Sequence, residues 1–227
     1  MLKIDDHIPG ARIIGLDRAE KRNAIGVELT LALEQILLET RFREDIRILV
    51  FHGIGGHFSA GMDMKDFFDS STRSPELIQK ARKATEHWRC HLLRKMPQFI
   101  VTAVEGYCLG GALPILQCSD VVIASKNAQF GLPEINFGFV PGGQIVKAVE
   151  LMATKRALSY MALSGRLIDA HQANSWGLVT RVVEEEPMTP ALELVNKYLE
   201  LKFPVLTQEW FFESPRCPPQ LLPILSL

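Results

Sequence analysis

The chain has 227 residues, 47% of them hydrophobic, and a formal net charge of −1. That is enough chain for one large domain or two small ones with a sizeable core. No run approaches the eighteen or so apolar residues a spanning helix needs, and no basic stretch is long enough to make nucleic acid the main partner.

The N-terminal MLKIDDHIPG carries two early acids and no apolar run, so neither a secretion signal nor a transit peptide is expected. Residues 11–16 (ARIIGL) read as a strand, followed by the charged turn DRAEKRNAIG. Residues 27–40 place Leu29, Leu33, Ile36 and Leu37 at helical spacing, and 46–52 (IRILVFH) read as a buried strand. A glycine-rich loop, 53–63, leads toward one long amphipathic helix over 75–96, with Ser74 as N-cap and Pro75 as first helical residue.

A strand over 99–106 ends at a glycine, and 107–120 reads as a tight turn opening a helix. A strand at 121–125 follows, then helices at 143–153, 155–163 and 169–176. The last is opened by Asp169 and stopped by Gly177. Residues 178–183 close with a strand, and 190–203 suggest one more helix. Strands alternating with helices predict an α/β fold with crossover connections. The expected division is a core over 1–183 and a C-terminal helical segment over 184–227. The run after Phe212, ESPRCPPQLLPILSL, carries four prolines and cannot be a continuous helix.

Cys90, Cys108, Cys118 and Cys217 are scattered without a CxxC, which predicts free thiols in a reducing, cytoplasmic setting. His87 and His91 lie one helical turn apart, a spacing that zinc accepts, but no HExxH or third ligand accompanies them, so no metal is expected. Neither His57 nor Ser59 belongs to a triad-like order, and Cys108 has no paired histidine.

Two turns matter more: 55-GGHFSAGMD-63 and 106-GYCLGGAL-113. Neither fits a nucleotide fingerprint. Taken alone, their glycines read first as close-packing positions at strand ends. The second reading is chemical: two turns with unpaired N–H groups can aim both at one oxygen. In 129-QFGLPEINFGFVPGG-143 a single acid, Glu134, stands among apolar residues. Such a carboxyl has its pKa pushed up toward neutrality, which suits proton transfer, although a helix cap is the plainer alternative.

The runs SAGMDMKDF, GYCLGGAL and QFGLPEINFGFVPGG, in this order and spacing, resemble the crotonase (enoyl-CoA hydratase/isomerase) superfamily, as does RAEKRNA at 18–24. The similarity covers residues 11–183, and AGMDMKDFF, TEHWRCHLLR and LPEINFG are most similar to hydroxycinnamoyl-CoA hydratase-lyases. The resemblance implies a spiral of strand–strand–helix turns and an acyl-CoA substrate, with no tightly bound cofactor beyond coenzyme A as part of the thioester. It implies main-chain N–H donors at Met62 and Gly111 on the thioester oxygen, and Glu134 as acid/base. Coenzyme A contacts would come from Ala60, Met62, Asp63 and Met64, with Lys21 and Arg22 on the phosphates. Asp63 is also read as a cap for the segment after the loop, and Trp88 as either acyl-pocket wall or core. A homotrimer or dimer of trimers, in fatty acid metabolism, is the implied setting.

Three departures accompany it. Pro114 stands where two-carboxylate hydratases have a glutamate and hydratase-lyases a serine; Phe67 stands where the latter have a tyrosine; and no tyrosine follows Tyr198. One carboxylate suffices for a 1,3-proton shift and serves water addition less readily. The expectation is therefore isomerase-like or weak hydratase chemistry, with hydratase-lyase activity or a silent acyl-CoA binder as alternatives.

Overall fold

A computed structural model describes residues 1–68 and 73–201. The expectations for the proline-rich run after Phe212, and for Cys217, lie outside the described residues.

Chain order is β1 (Leu2–Asp5), β2 (Ala11–Leu16), α1 (Val27–Arg41), β3 (Ile48–Gly53), α2 (Met64–Phe68), α3 (Pro75–His87), β4 (Phe99–Val104), β5 (Tyr107–Leu109) and α4 (Leu113–Gln117). Then come β6 (Val121–Ser125), β7 (Gln129–Gly131), α5 (Gly143–Met152), α6 (Lys155–Ser164), β8 (Ile168–Asp169), α7 (Ala170–Ser175), β9 (Arg181–Val183) and α8 (Met188–Glu200). A six-stranded sheet runs β1-β2-β3-β4-β6-β9, antiparallel only at β1/β2. A three-stranded sheet runs β5-β7-β8, parallel at β5/β7 and antiparallel at β7/β8.

The chain alternates between the two sheets. β4 hands over to β5, and β6 to β7. After β3, Ser59 makes a parallel bridge to Cys108 of β5. Each circuit thus adds a strand to the large sheet and a short one to the small sheet, giving the expected spiral. β1, β5, β7 and β8 escape the sequence reading. They are two to four residues long, too short to show alternation.

The central strands are apolar on both faces, as a covered parallel sheet requires. Along β3, Leu49 and Phe51 join the larger core with Leu33 and Leu37 of α1. Ile48 and Val50 face the other way and pack with Val101, Ala191 and Val195. The last two belong to α8, so a helix beyond residue 184 covers one side of the sheet. Burying a side chain of the Val195 class contributes roughly 1.5–3 kcal/mol.

Helix starts follow side-chain chemistry. Ser74 Oγ accepts from Leu77 N, Thr154 Oγ1 from Ala157 N and Asp169 Oδ1 from Gln172 N. The expected single helix over 75–96 is a correction. α3 stops at His87, a π-helical turn spans Trp88–Leu92, and a 3-10 turn spans Leu93–Lys95. The wider turn brings two consecutive residues, Trp88 and Arg89, indoors together.

Candidate active site

The first wall of the site is the segment 58–63, clamped from both sides. Phe58 N and Ser59 N donate to Glu105 O and Tyr107 O, and Leu109 N donates back to Ser59 O. From the other side, Ala60 N donates to Arg22 O, Ile25 N to Gly61 O and Asp63 N to Ile25 O. Asn23 anchors this edge. It is fully buried, sits at φ +54, donates from Nδ2 to Ile54 O and His57 O, and accepts from Arg18 N. Ser59 Oγ in turn donates to Asn23 O. Removing the Asn23 amide would strand two buried carbonyls and an N–H. Asn23→Ala should therefore cost about 2–3 kcal/mol, measured by urea unfolding.

That clamp decides where the Met62 amide points. Ile25 and Met62 are paired in a parallel bridge whose hydrogen bonds fall on Gly61 O and Asp63 N. In a parallel ladder the bridged residue's own N–H and C=O then face the opposite side. On that side lies the 3-10 turn Gly110–Ala112. A Cβ built on Gly111 would lie 3.3 Å from Met62 N, and one built on Gly61 would lie 3.3 Å from Gly111 N. Gly111 is the second residue of its turn, so its N–H has no partner within that turn. Two amides from different loops thus flank one small space.

Glu134 closes it. It sits in the 3-10 turn Pro133–Phe137. Its Oε1 would be 2.6 Å from a Cβ on Gly110, which sits at φ +46, so only a glycine lets the carboxyl come so near. Oε2 is buried and has no hydrogen-bond partner among the described residues. Burial pushes the Glu134 pKa up from the usual glutamate range.

These groups open into a cavity of about 580 Å³ lined by Met62, Gly110, Gly111 and Glu134 together with apolar Phe67, Phe139 and Ile145. Met64 and Ala60 also line it. Lys21 and Arg22 lie outside, exposed on the turn beside Ala60, with the Arg22 guanidinium 5.4 Å from the Tyr107 ring centre. Asp63 is committed elsewhere: Oδ2 pairs with Arg18 at 2.9 Å and Oδ1 accepts from Asp66 N, which is the capping role expected of it.

The departures keep their meaning in space. Phe67 is buried and offers the cavity only a ring, and Pro114 is buried in the first turn of α4. Of the two readings of Trp88, core packing holds; its Nε1 donates to Thr30 Oγ1 and the ring is fully buried. His87 Nδ1 sits 2.7 Å from Glu34 Oε1, and among the described residues no three His, Cys, Asp or Glu side chains cluster as metal ligands. The Cys108 thiol is fully buried, which raises its pKa well above normal and makes it inert. His57 Nδ1 accepts from Tyr107 N, so His57 and Ser59 both serve the backbone.

Two residues of the site were missed from sequence. Asn23 lay inside the RAEKRNA turn, where neither the charges nor the resemblance gave it a role. Arg89 was given no role, yet it is 4% exposed and lines the cavity. The available signal was its four-residue step from Thr85, itself buried.

Comparison with known proteins supplies the family. The profile of the family described as Enoyl-CoA hydratase/isomerase matches residues 10–207. A hydroxycinnamoyl-CoA hydratase-lyase of Pseudomonas fluorescens is 31% identical over 210 residues, 92% of this chain and 76% of that protein. A mevalonyl-coenzyme A hydratase of Aspergillus fumigatus is 32% identical over 186 residues, 79% of this chain and 65% of that one. The solved structure of Pseudomonas aeruginosa AtuE superposes with a TM-score of 0.77 at 31% identity, over 88% of this chain and 75% of that one.

Proposed function

The chain belongs to the enoyl-CoA hydratase/isomerase family, and from that premise we propose that it forms a CoA-thioester enolate, with the Met62 and Gly111 amides on the carbonyl oxygen and Glu134 as its proton carrier. The observation that carries the reading is the carboxyl of Glu134, half-buried and with one oxygen unpartnered among the described residues, lying against the same glycine pair whose second amide faces Met62 N.

The chemistry follows from charge. When Glu134 takes a proton from the α-carbon, the electron pair moves onto the carbonyl oxygen. Two fixed N–H donors there lower the barrier, each worth about 2.7–4 kcal/mol. The proton then returns to the γ-carbon, which shifts a double bond. In the hydratase variant Glu134 deprotonates water for addition at the β-carbon and then protonates the α-carbon. The absence of a titratable group at Pro114 and of a hydroxyl at Phe67 favours the proton shift. Coenzyme A belongs to this reading as part of the substrate, its adenine along the backbone of 60–64 and its phosphates near Lys21 and Arg22. So does assembly into trimers or a dimer of trimers.

Enolate formation has a direct readout. In heavy water the protein should place deuterium on the α-carbon of butyryl-CoA, followed by mass spectrometry. A panel of 2-enoyl-, 3-enoyl- and hydroxycinnamoyl-CoA then assigns the reaction, with 3-enoyl-CoA expected to be the best substrate. Cleavage of hydroxycinnamoyl-CoA as the fastest reaction would replace the proposal with hydratase-lyase chemistry. Binding with neither exchange nor product would make the protein an acyl-CoA binder, the reading that Pro114 and Phe67 also support.

A further inference from the structure

Arg89 is a cation in the wall of the cavity with no counter-ion among the described residues. It is 4% exposed, and its Nε and Nη2 have no hydrogen-bond partner among the described residues. Its guanidinium carbon lies 4.9 Å from the centre of the Trp88 ring, a contact that offsets little of the cost of burying a charge. Burial lowers its pKa only to about 10, so it stays charged at neutral pH.

Its position is specific. Nη2 would be 2.7 Å from a Cβ on Gly111, the same point that lies 3.3 Å from Met62 N. The guanidinium therefore reaches the acyl end of the cavity, next to the two amides. The fold goes to some trouble to put it there. The π-helical turn Trp88–Leu92 widens the helix so that Arg89 turns inward behind Trp88, and such turns often mark functional sites. Trp88 is itself held by Thr30, whose hydroxyl also meets Thr85.

An unpaired, buried, forked donor beside the acyl chain is a receptor for a planar anion. We propose that Arg89 binds a carboxylate on the acyl group, so that the substrate is the CoA thioester of a short dicarboxylic acid. The inference rests on the cavity being the acyl-CoA site, and on nothing about which reaction follows. A neutral acyl chain would leave the guanidinium desolvated and unpaired, so the residue discriminates against such chains as well as for the acid. The close approach to Gly111 keeps the chain short, because the carboxylate must reach Nη2 while the thioester oxygen sits between the two amides.

Binding of unreactive saturated thioesters to the full-length protein tests this without requiring turnover. Succinyl- or glutaryl-CoA should bind about 10–100-fold tighter than butyryl- or valeryl-CoA, the range expected for a charged hydrogen bond. Arg89→Met should abolish that preference, weakening succinyl- and glutaryl-CoA binding and strengthening butyryl-CoA binding, and Arg89→Lys should keep part of it. Equal affinity of the wild-type protein for acids and neutral chains would overturn the inference, whether or not α-deuterium exchange occurs. So would an Arg89→Met variant that slows exchange into butyryl-CoA with no acid preference to lose, because Arg89 would then serve the enolate oxygen. Should Arg89→Met fail to fold, the wild-type comparison and Arg89→Lys still decide. Absence of exchange with a clear acid preference would count against the enolate reading alone.

Discussion

Glu134→Gln should bind acyl-CoA like the wild-type protein and lose about 10²–10⁴-fold in kcat, the usual contribution of a positioned acid/base. The substitution keeps the size and the planar end of the side chain, so the cavity lining is unchanged and the lost quantity is proton transfer. The wild-type pH profile carries the same signature. Glu134 must be ionised to take the α-proton, and burial holds its pKa above the usual glutamate range. kcat/KM should rise with pH through that raised value, and the limb should vanish in the variant.

Stability should move the other way. A carboxyl whose pKa is raised by folding stabilises the native state fully below the unfolded pKa, and that contribution is lost as pH rises through the folded value. At pH 8 the native protein holds a half-buried carboxylate with one oxygen unpartnered among the described residues. The neutral amide of Glu134→Gln escapes that cost, so its melting temperature should exceed wild type at pH 8. The gain should shrink toward pH 4, near the unperturbed glutamate pKa of about 4.3. Wild-type turnover in the variant would remove Glu134 from the mechanism. A lower melting temperature at pH 8 would show that the ionised form is paired in solution.

Much of the fold was legible because its signals are local. β3 is an apolar run that only a covered sheet can bury, and the Ser74 and Asp169 caps need nothing beyond residues one turn away. The short strands of the small sheet carry no such signal; β8 has two residues and is paired only because β7 lies beside it. The π-helical turn is likewise invisible, since the sequence 75–96 keeps a helical stripe that runs straight through it. At the site, Glu134 stood out as a lone acid among apolar residues. Arg89 did not, because a cation beside a tryptophan on an amphipathic helix reads as surface. Its burial is decided by the glycine turn at 110–111, which is remote in sequence. Asn23 was hidden for the same reason, its three partners lying in two separate segments.

Gly111→Ala should reduce turnover of a neutral acyl-CoA by about 10²–10³-fold while leaving the protein folded, the effect of losing one oxyanion donor. The three glycines near this space are not equivalent probes. Gly61 sits at φ +90 and its Cβ would fall 2.7 Å from the Leu109 carbonyl oxygen, so a side chain there forces backbone to move. Gly110 sits at φ +46 with its Cβ 2.6 Å from Glu134 Oε1, so a side chain there strains the turn and displaces the acid at once. Gly111 has no left-handed φ, and its Cβ would meet Arg89 Nη2, the end of a long side chain, at 2.7 Å and Met62 N at 3.3 Å. The methyl group therefore enters the space beside the Met62 amide at little cost to the fold, and keeps the thioester oxygen from sitting between both donors. Butyryl-CoA exchange is the proper readout, because it does not depend on the carboxylate pairing assigned to Arg89. Circular dichroism and a melting temperature near wild type would verify the fold. Undiminished exchange in such a folded variant would mean that the oxygen binds elsewhere, and the two amides would lose their role.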